Sequence, residues 1–259
     1  MVSSHHLAKE DIPAIPPEVT GEELDRDALR ALGGLERDYA DRIARHLVMC
    51  ARLLDTDPEL AYRHARTAAD RAGRVGVVRE SAGIAAYATG RYAEAARELR
   101  TYQRLSGTRD YLPVIADCER GLGRPERAVD IATSAEAKAL QGDDAVEMAI
   151  VLAGARGDLG QHAAALAVLS RAARLPHSDA ASQRLSLARD RVEALAAGMD
   201  PEEADWMEEP EDREAALDAS PPDDATLFDA EEGSWCGRQE LGGSGLVRGN
   251  PALKGVSVP

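Results

Sequence analysis

An alanine recurs at a near-constant interval through the middle of the chain. Ala61 stands in PELAYRHARTA, Ala95 in RYAEAARELRTY, Ala128 in RPERAVDIATSA and Ala165 in QHAAALAVLSRAA, at spacings of 34, 33 and 37 residues. In each segment a second apolar side chain follows four positions later (Ala65, Leu99, Ala132, Leu169) and a third after seven (Ala68, Tyr102, Ala135, Ala172). Offsets of four and seven fall on one face of an α-helix, so the same face is written four times. Five residues before the alanine stands a glycine in three of the four segments (Gly90, Gly123, Gly160), with Thr56 in the first. A glycine there lets a preceding helix stop and the chain turn back, so each period reads as a helical hairpin. One hairpin cannot bury its apolar face alone, and the repetition therefore predicts a stacked all-α array, an α-solenoid.

Composition agrees with helices and excludes the main alternative. The chain has 259 residues, of which 48 are Ala and nine are aromatic. A core so poor in rings and so rich in a small helix-former suits close helix packing and not a β-sandwich or barrel. No apolar run reaches membrane-spanning length, and the first residues lack the apolar stretch of a signal peptide, so a cytoplasmic protein is expected. Cys50, Cys118 and Cys236 form no CxxC pair, which argues against a disulfide framework or a cysteine zinc site.

The formal charge of −15 is unevenly distributed. Residues 200 to 259 hold 16 acids and four bases, a balance of −12, which leaves −3 for residues 1 to 199. Between Glu59 and Asp130 there are 13 Arg against 10 acids, so a mildly basic middle faces an acidic end.

Three regions follow. Residues 1–19, with Pro13, Pro16 and Pro17, carry no periodic face and are expected to be disordered. Residues 20–209 form the repeat domain. It is entered by a helix whose Thr20 and Glu23 fit a capping box, with Leu24, Leu29 and Leu32 on its face and Gly33 and Gly34 at its end. A helix carrying Ile43, Leu47, Cys50 and Leu54 comes next. A degenerate fifth unit is expected from a helix over Leu185 to Ala197, stopped by Gly198, and an acidic helix beginning at PEEADWMEE. Residues 210–259 turn to Asp, Glu, Pro, Ser and Gly and are expected to be a disordered tail.

The unit from Gly76 to Leu105 resembles a tetratricopeptide repeat. Gly83 stands at the small interhelix position, Gly90 and Tyr92 at the turn, Ala95 and Leu99 at the small and large positions of the second helix. Arg79 and Ala86 depart from the usual aromatics. The stretches HLVMCARLLDTDPELAYRHA, GIAAYATGRYAEA and ADCERGLGRPERA are similar to an actinobacterial family of small tetratricopeptide proteins of unknown function, over residues 20 to 205. The resemblance implies four to five hairpins, no catalytic motif, and a concave groove lined by the first helix of each unit. Carried over by position, the groove residues are Glu80, Ile84, Tyr87, Asp117, Arg120 and Glu147, flanked by His46, Cys50 and Ile150. Tyr87 and Arg120 are the expected anchors, since Tyr and Arg dominate binding hot spots. Ile84, Tyr87 and Ile150 also suit plain packing between helices. A clamp for a C-terminal carboxylate is disfavoured, because His46, Glu80, Pro113 and Ile150 occupy the places where Lys, Arg and Asn would stand.

Catalytic constellations are missing from the sequence. The six histidines make no HExxH pair, and the Gly121–Gly123 turn interrupts a hairpin where a phosphate loop would follow a strand. The acid runs at Glu208–Asp212 and Asp223–Asp224 lack the spacing of a calcium loop. Neither metal nor cofactor is implied. The expected function is non-enzymatic binding of a protein or peptide in the groove. The alternative is an RNA- or ribonucleoprotein-associated factor whose basic middle repeats are masked by the acidic tail.

Overall fold

The computed structural model of the chain describes residues 12–199, and all regular structure among them is helical. A 3₁₀ turn at Gly21–Glu23 precedes α1 (Arg26–Leu32), α2 (Arg37–Leu53), α3 (Pro58–Ala72), α4 (Gly76–Ala88), α5 (Tyr92–Ser106), α6 (Leu112–Gly121), α7 (Pro125–Ala132), the single turn α8 (Ala135–Lys138), α9 (Gly142–Asp158), α10 (His162–Ala172) and α11 (Asp179–Ala196). None of these helices is long and apolar enough to cross a membrane. The expectations for residues 1–11, for the helix beginning at PEEADWMEE and for the tail lie outside the described residues.

The pairs α4/α5, α6/α7 and α9/α10 turn through Gly90, Gly123 and Gly160, whose φ angles are 70°, 69° and 71°. That left-handed conformation costs a residue with a Cβ about 1 kcal/mol or more, which is why glycine recurs there. It lets the next amide reach back over the helix end. Arg91 N–H donates to Ala86 O at 2.8 Å, Arg124 to Glu119 O at 2.9 Å and Gln161 to Arg156 O at 2.7 Å. The α2/α3 turn uses a different device. Asp57 accepts a bond from Leu60 N–H at 3.0 Å, and Pro58 opens α3 where its missing N–H costs nothing.

The recurring alanines occupy the positions that the period demands. Ala61, Ala95, Ala128 and Ala165 are all 0% exposed. The α4/α5 contact shows why they must be small. A Cβ on Gly83 would lie 2.6 Å from Leu99 Cγ, so the two backbones are as close as their side chains allow. Core clusters run on from one pair to the next. Leu54 and Tyr62 pack against both of the first two clusters, Ile131 and Leu152 join the later ones, and the main contacts link helices close in chain order. The exception is α4. Flanked by α2, α3 and α5 and overlain by α1, it is buried over ten residues and presents almost no solvent face.

Four features differ from the sequence reading. The N-terminal helix is split: Thr20 N–H donates to Glu23 Oε1 at 3.0 Å, but Leu24 is extended and Asp25 caps α1 afresh, accepting from Asp27 and Ala28 N–H at 2.8 Å each. Residues 12–19 carry no helix yet are packed, with Pro13 and Val19 buried and Val19 O held by Arg45 Nε at 2.8 Å. In the third unit Ala135 is exposed, because α7 ends at Ala132 and Ser134 caps the separate turn α8 through Ala137 N–H. The last helix begins at Asp179, six residues earlier than its apolar pattern, because Ser178 caps it and is itself held by Asp143.

Candidate functional site

Among the first helices of successive pairs, α2 packs on α4, α6 on α9 and α9 on α11. These helices carry the residues singled out by the sequence, and a chain of polar bonds ties several of them together. Tyr87 on α4 donates its hydroxyl to Asp117 Oδ2 on α6 at 2.5 Å. Asp117 Oδ1 accepts from Arg120 Nη1 at 2.8 Å, one helical turn on. Arg120 then spans to α9, its Nε and Nη2 donating to the two oxygens of Asp158 at 2.8 and 3.1 Å. This forked geometry is the strongest pairing a guanidinium makes. Beyond it Glu147 Oε1 on α9 accepts from Arg184 Nε on α11 at 2.5 Å. So Tyr87, Asp117 and Arg120 form one connected group, and Glu147 belongs to a second.

Electrostatics follow from burial and from these partners. Burial, with the Asp117 charge and its hydrogen bond, pushes the Tyr87 phenol well above its ordinary value. Burial alone would lower Arg120, but its bonds to Asp158 and Asp117 outweigh that and raise it. Its side chain keeps 27% of its surface. Gly154 makes room for it, since a Cβ there would sit 2.6 Å from the guanidinium carbon.

The other groove candidates turn inward. Glu80 is 3% exposed and accepts the Tyr111 hydroxyl at 2.6 Å. Burial pushes its carboxyl up to about 7, against the lowering effect of the Tyr111 bond and with help from the charges of Asp25 and Asp110. Ile84 is buried between helices, as is the ring of Tyr87, which meets Tyr92 edge-on at 5.8 Å. On α2, His46 faces α3 and its Nδ1 lies 2.9 Å from that of His64, so in the neutral pair one Nδ1–H donates to the other Nδ1. Burial lowers both imidazoles to about 4. Cys50 and Cys118 are fully buried, and burial pushes each thiol up to about 12. Such thiols are packing groups and poor nucleophiles.

Residues 12–32 pack against α2 and α4. α1 packs on α2 and α4, Val19, Leu24, Ala28 and Leu32 join their core, and two α2 arginines hold the segment. Arg45 bonds Val19 O, and Arg52 Nη2 donates to Glu23 Oε2 at 2.5 Å. Sequence reasoning missed this segment, because it has no periodic face of its own. It also missed the cross-helix pairing, for which a signal was present. Tyr87 and Asp117 are 30 residues apart, Tyr111 and Glu80 31, Tyr62 and Glu94 32, Glu147 and Arg184 37, Arg120 and Asp158 38. Those separations lie within a few residues of the 33 to 37 of the sequence period, so each of these bonds joins one helix pair to the next.

No three metal-ligating side chains cluster among the described residues. A cleft of about 260 Å³ is lined by Gln103, Arg109, Leu112, Ile131, Ser134 and Glu136. Another, of about 470 Å³, lies at the α3–α4 turn over Leu35, Ala69 and Val75, rimmed by Arg71, Arg74, Arg79 and Asp70. No family model, no curated protein and no solved structure matches the chain.

Proposed function

We propose that the chain is a tetratricopeptide-like solenoid of stacked helical hairpins that binds a protein or peptide segment along the face formed by the first helix of each pair, and that it acts by binding and not by catalysis. The observation that carries this reading is the chain's own N-terminal segment. Residues 12–32 already lie on α2 and α4, with apolar side chains buried and arginines on a backbone carbonyl and a carboxylate. A segment of another protein would use the same chemistry on α6, α9 and α11. Rigid helix pairs present preorganised groups, so affinity would come from a few anchors with little reorganisation of the receptor. Arg120 is the strongest anchor, with Asp117 and Glu147 beside it. Glu80, Ile84 and Tyr87 would act beneath the surface, holding α4 against its neighbours.

Selection of peptides from a random displayed library on the full-length protein tests the reading. Enriched peptides should lose about tenfold or more in affinity for Arg120→Ala, in line with loss of one charged anchor of about 1.4 kcal/mol or more. They should bind Arg171→Ala, a change on the exposed side of α10, as well as the parent. No enrichment, or hits indifferent to Arg120, would overturn it.

A further inference from the structure

The second helices carry an unusual charge distribution on their outward sides. On α3, the following turn and α5, the exposed charged residues are Arg63, Arg71, Arg74, Arg97, Arg100 and Arg104 against one acid, Glu59, while the half-buried Asp70 and Glu94 pair with Arg66 and Arg97, and Glu119 pairs with Arg100. The face is continuous. Arg66, Arg79 and Arg97 converge on the buried Glu98, with Nη–Oε distances of 3.9, 2.5 and 3.0 Å, and Arg91 reaches from the start of α5 to Glu59 on α3. Arg74 and Arg104 have no ion pair among the described residues. At its edge lies the cleft of about 470 Å³, apolar at Leu35, Ala69 and Val75, rimmed by Arg71, Arg74 and Arg79, and holding one acid, Asp70, which Arg66 pairs. Such a site suits an acidic segment with an apolar side chain to seat in the cleft.

The chain contains one. From Glu214 to Gly237 there are seven acids (Glu214, Asp218, Asp223, Asp224, Asp229, Glu231, Glu232) and no base, with Leu227, Phe228 and Trp235 among them. Both tryptophans and the single phenylalanine of the protein lie beyond residue 199. The 37 residues from Met199 to Cys236 can span roughly 130 Å when extended. The distance from α11 back to α3 or α5 is a few helix spacings of about 10 Å each. Attachment also makes the encounter intramolecular, which raises its effective concentration to the order of millimolar.

We propose that residues 214–237 dock in cis on the arginine face of α3 and α5, with an aromatic side chain in the cleft at the α3–α4 turn. This surface is distinct from the face of the first helices, so the proposal stands apart from the peptide-binding reading. An external polyanion such as RNA would meet this segment as a competitor.

Cys236 offers a direct probe, because Cys50 and Cys118 are buried and resist thiol reagents. A nitroxide on Cys236 of the full-length protein should quench the backbone amide signals of residues 70–75 and of the outward side of α5, and spare α9 and α10. Quenching should disappear in about 1 M salt, where the screening length falls to ~3 Å. It should also disappear in Asp229→Asn/Glu231→Gln/Glu232→Gln, which leaves the described domain untouched, and in Arg74→Glu/Arg104→Glu. Unquenched α3 and α5 amides at low salt, or quenching indifferent to salt and to the tail substitutions, would overturn the proposal. So would a single-stranded RNA that shifts those amides while the label leaves them unaffected, which would assign the arginine face to an external ligand.

Discussion

Replacing Glu80 by Gln should stabilise the protein, and by more at high pH. Glu80 is buried, hydrogen-bonded to Tyr111, and has Asp25 and Asp110 as its charged neighbours. Its carboxyl stands at about 7 in the fold against 4.5 as a free side chain. A raised pKa means that the folded state binds the proton more tightly, so this contribution is present below 4.5 and is lost as the pH rises through 7. Linkage puts the loss at about 1 kcal/mol at pH 5.5 and about 3 kcal/mol at pH 8.5, relative to the neutral acid. Gln keeps an acceptor for the Tyr111 hydroxyl and has no charge to desolvate. Urea unfolding of the parent and of Glu80→Gln at the two pH values should show an advantage for the variant that widens by about 2 kcal/mol. The histidines are common to both proteins and cancel in the difference. A variant that is less stable at pH 8.5, or an advantage equal at both values, would refute the assignment of Glu80 as an uncompensated buried acid.

Further consequences concern other buried groups. The imidazoles of His46 and His64 are lowered from 6.5 to about 4, so the stability they contribute is present above 6.5 and is lost as the pH falls toward 4; nitrogen-detected NMR should find both neutral at pH 5.5, and a protonated ring there would contradict the pairing. Gly83→Ala should cost roughly 1 to 3 kcal/mol, because the new methyl meets Leu99, whereas Gly157→Ala, with Leu195 no nearer than 4.0 Å, should be neutral or stabilising by up to ~1 kcal/mol; equal melting temperatures would show that α4 and α5 are not in close contact. Ala95→Leu should overpack the same pair by roughly 1 to 3 kcal/mol, and an unchanged melting temperature would mean that the repeat is misplaced. Tyr87→Phe should destabilise by about 1 to 2 kcal/mol through the lost bond to Asp117, and a neutral effect in urea unfolding would detach Tyr87 from the polar chain.

The hairpin period was legible because it is written in residues with few substitutes. Gly90, Gly123 and Gly160 are required by left-handed backbone, and Ala61, Ala95, Ala128 and Ala165 by helices in contact. Boundaries were less legible where a cap competes with a periodic face. Asp25 restarts a helix that Thr20 would have begun, and Ser134 cuts α7 short. The candidate face was legible as a set of places and not as an environment. Position along a helix put Glu80 and Tyr87 on the first-helix side, but nothing local says that α1 covers part of it or that Tyr111, 31 residues on, meets Glu80. Such meetings depend on how one unit stacks on the next.

The proposed function is peptide binding on the uncovered part of the first-helix face. The most direct measurement is amide chemical-shift mapping of the full-length protein with a library-selected peptide. Shifts should cluster at Asp117, Arg120 and Glu147 on α6 and α9. Shifts confined to the outward sides of α5 and α7, or none at saturating peptide, would contradict it.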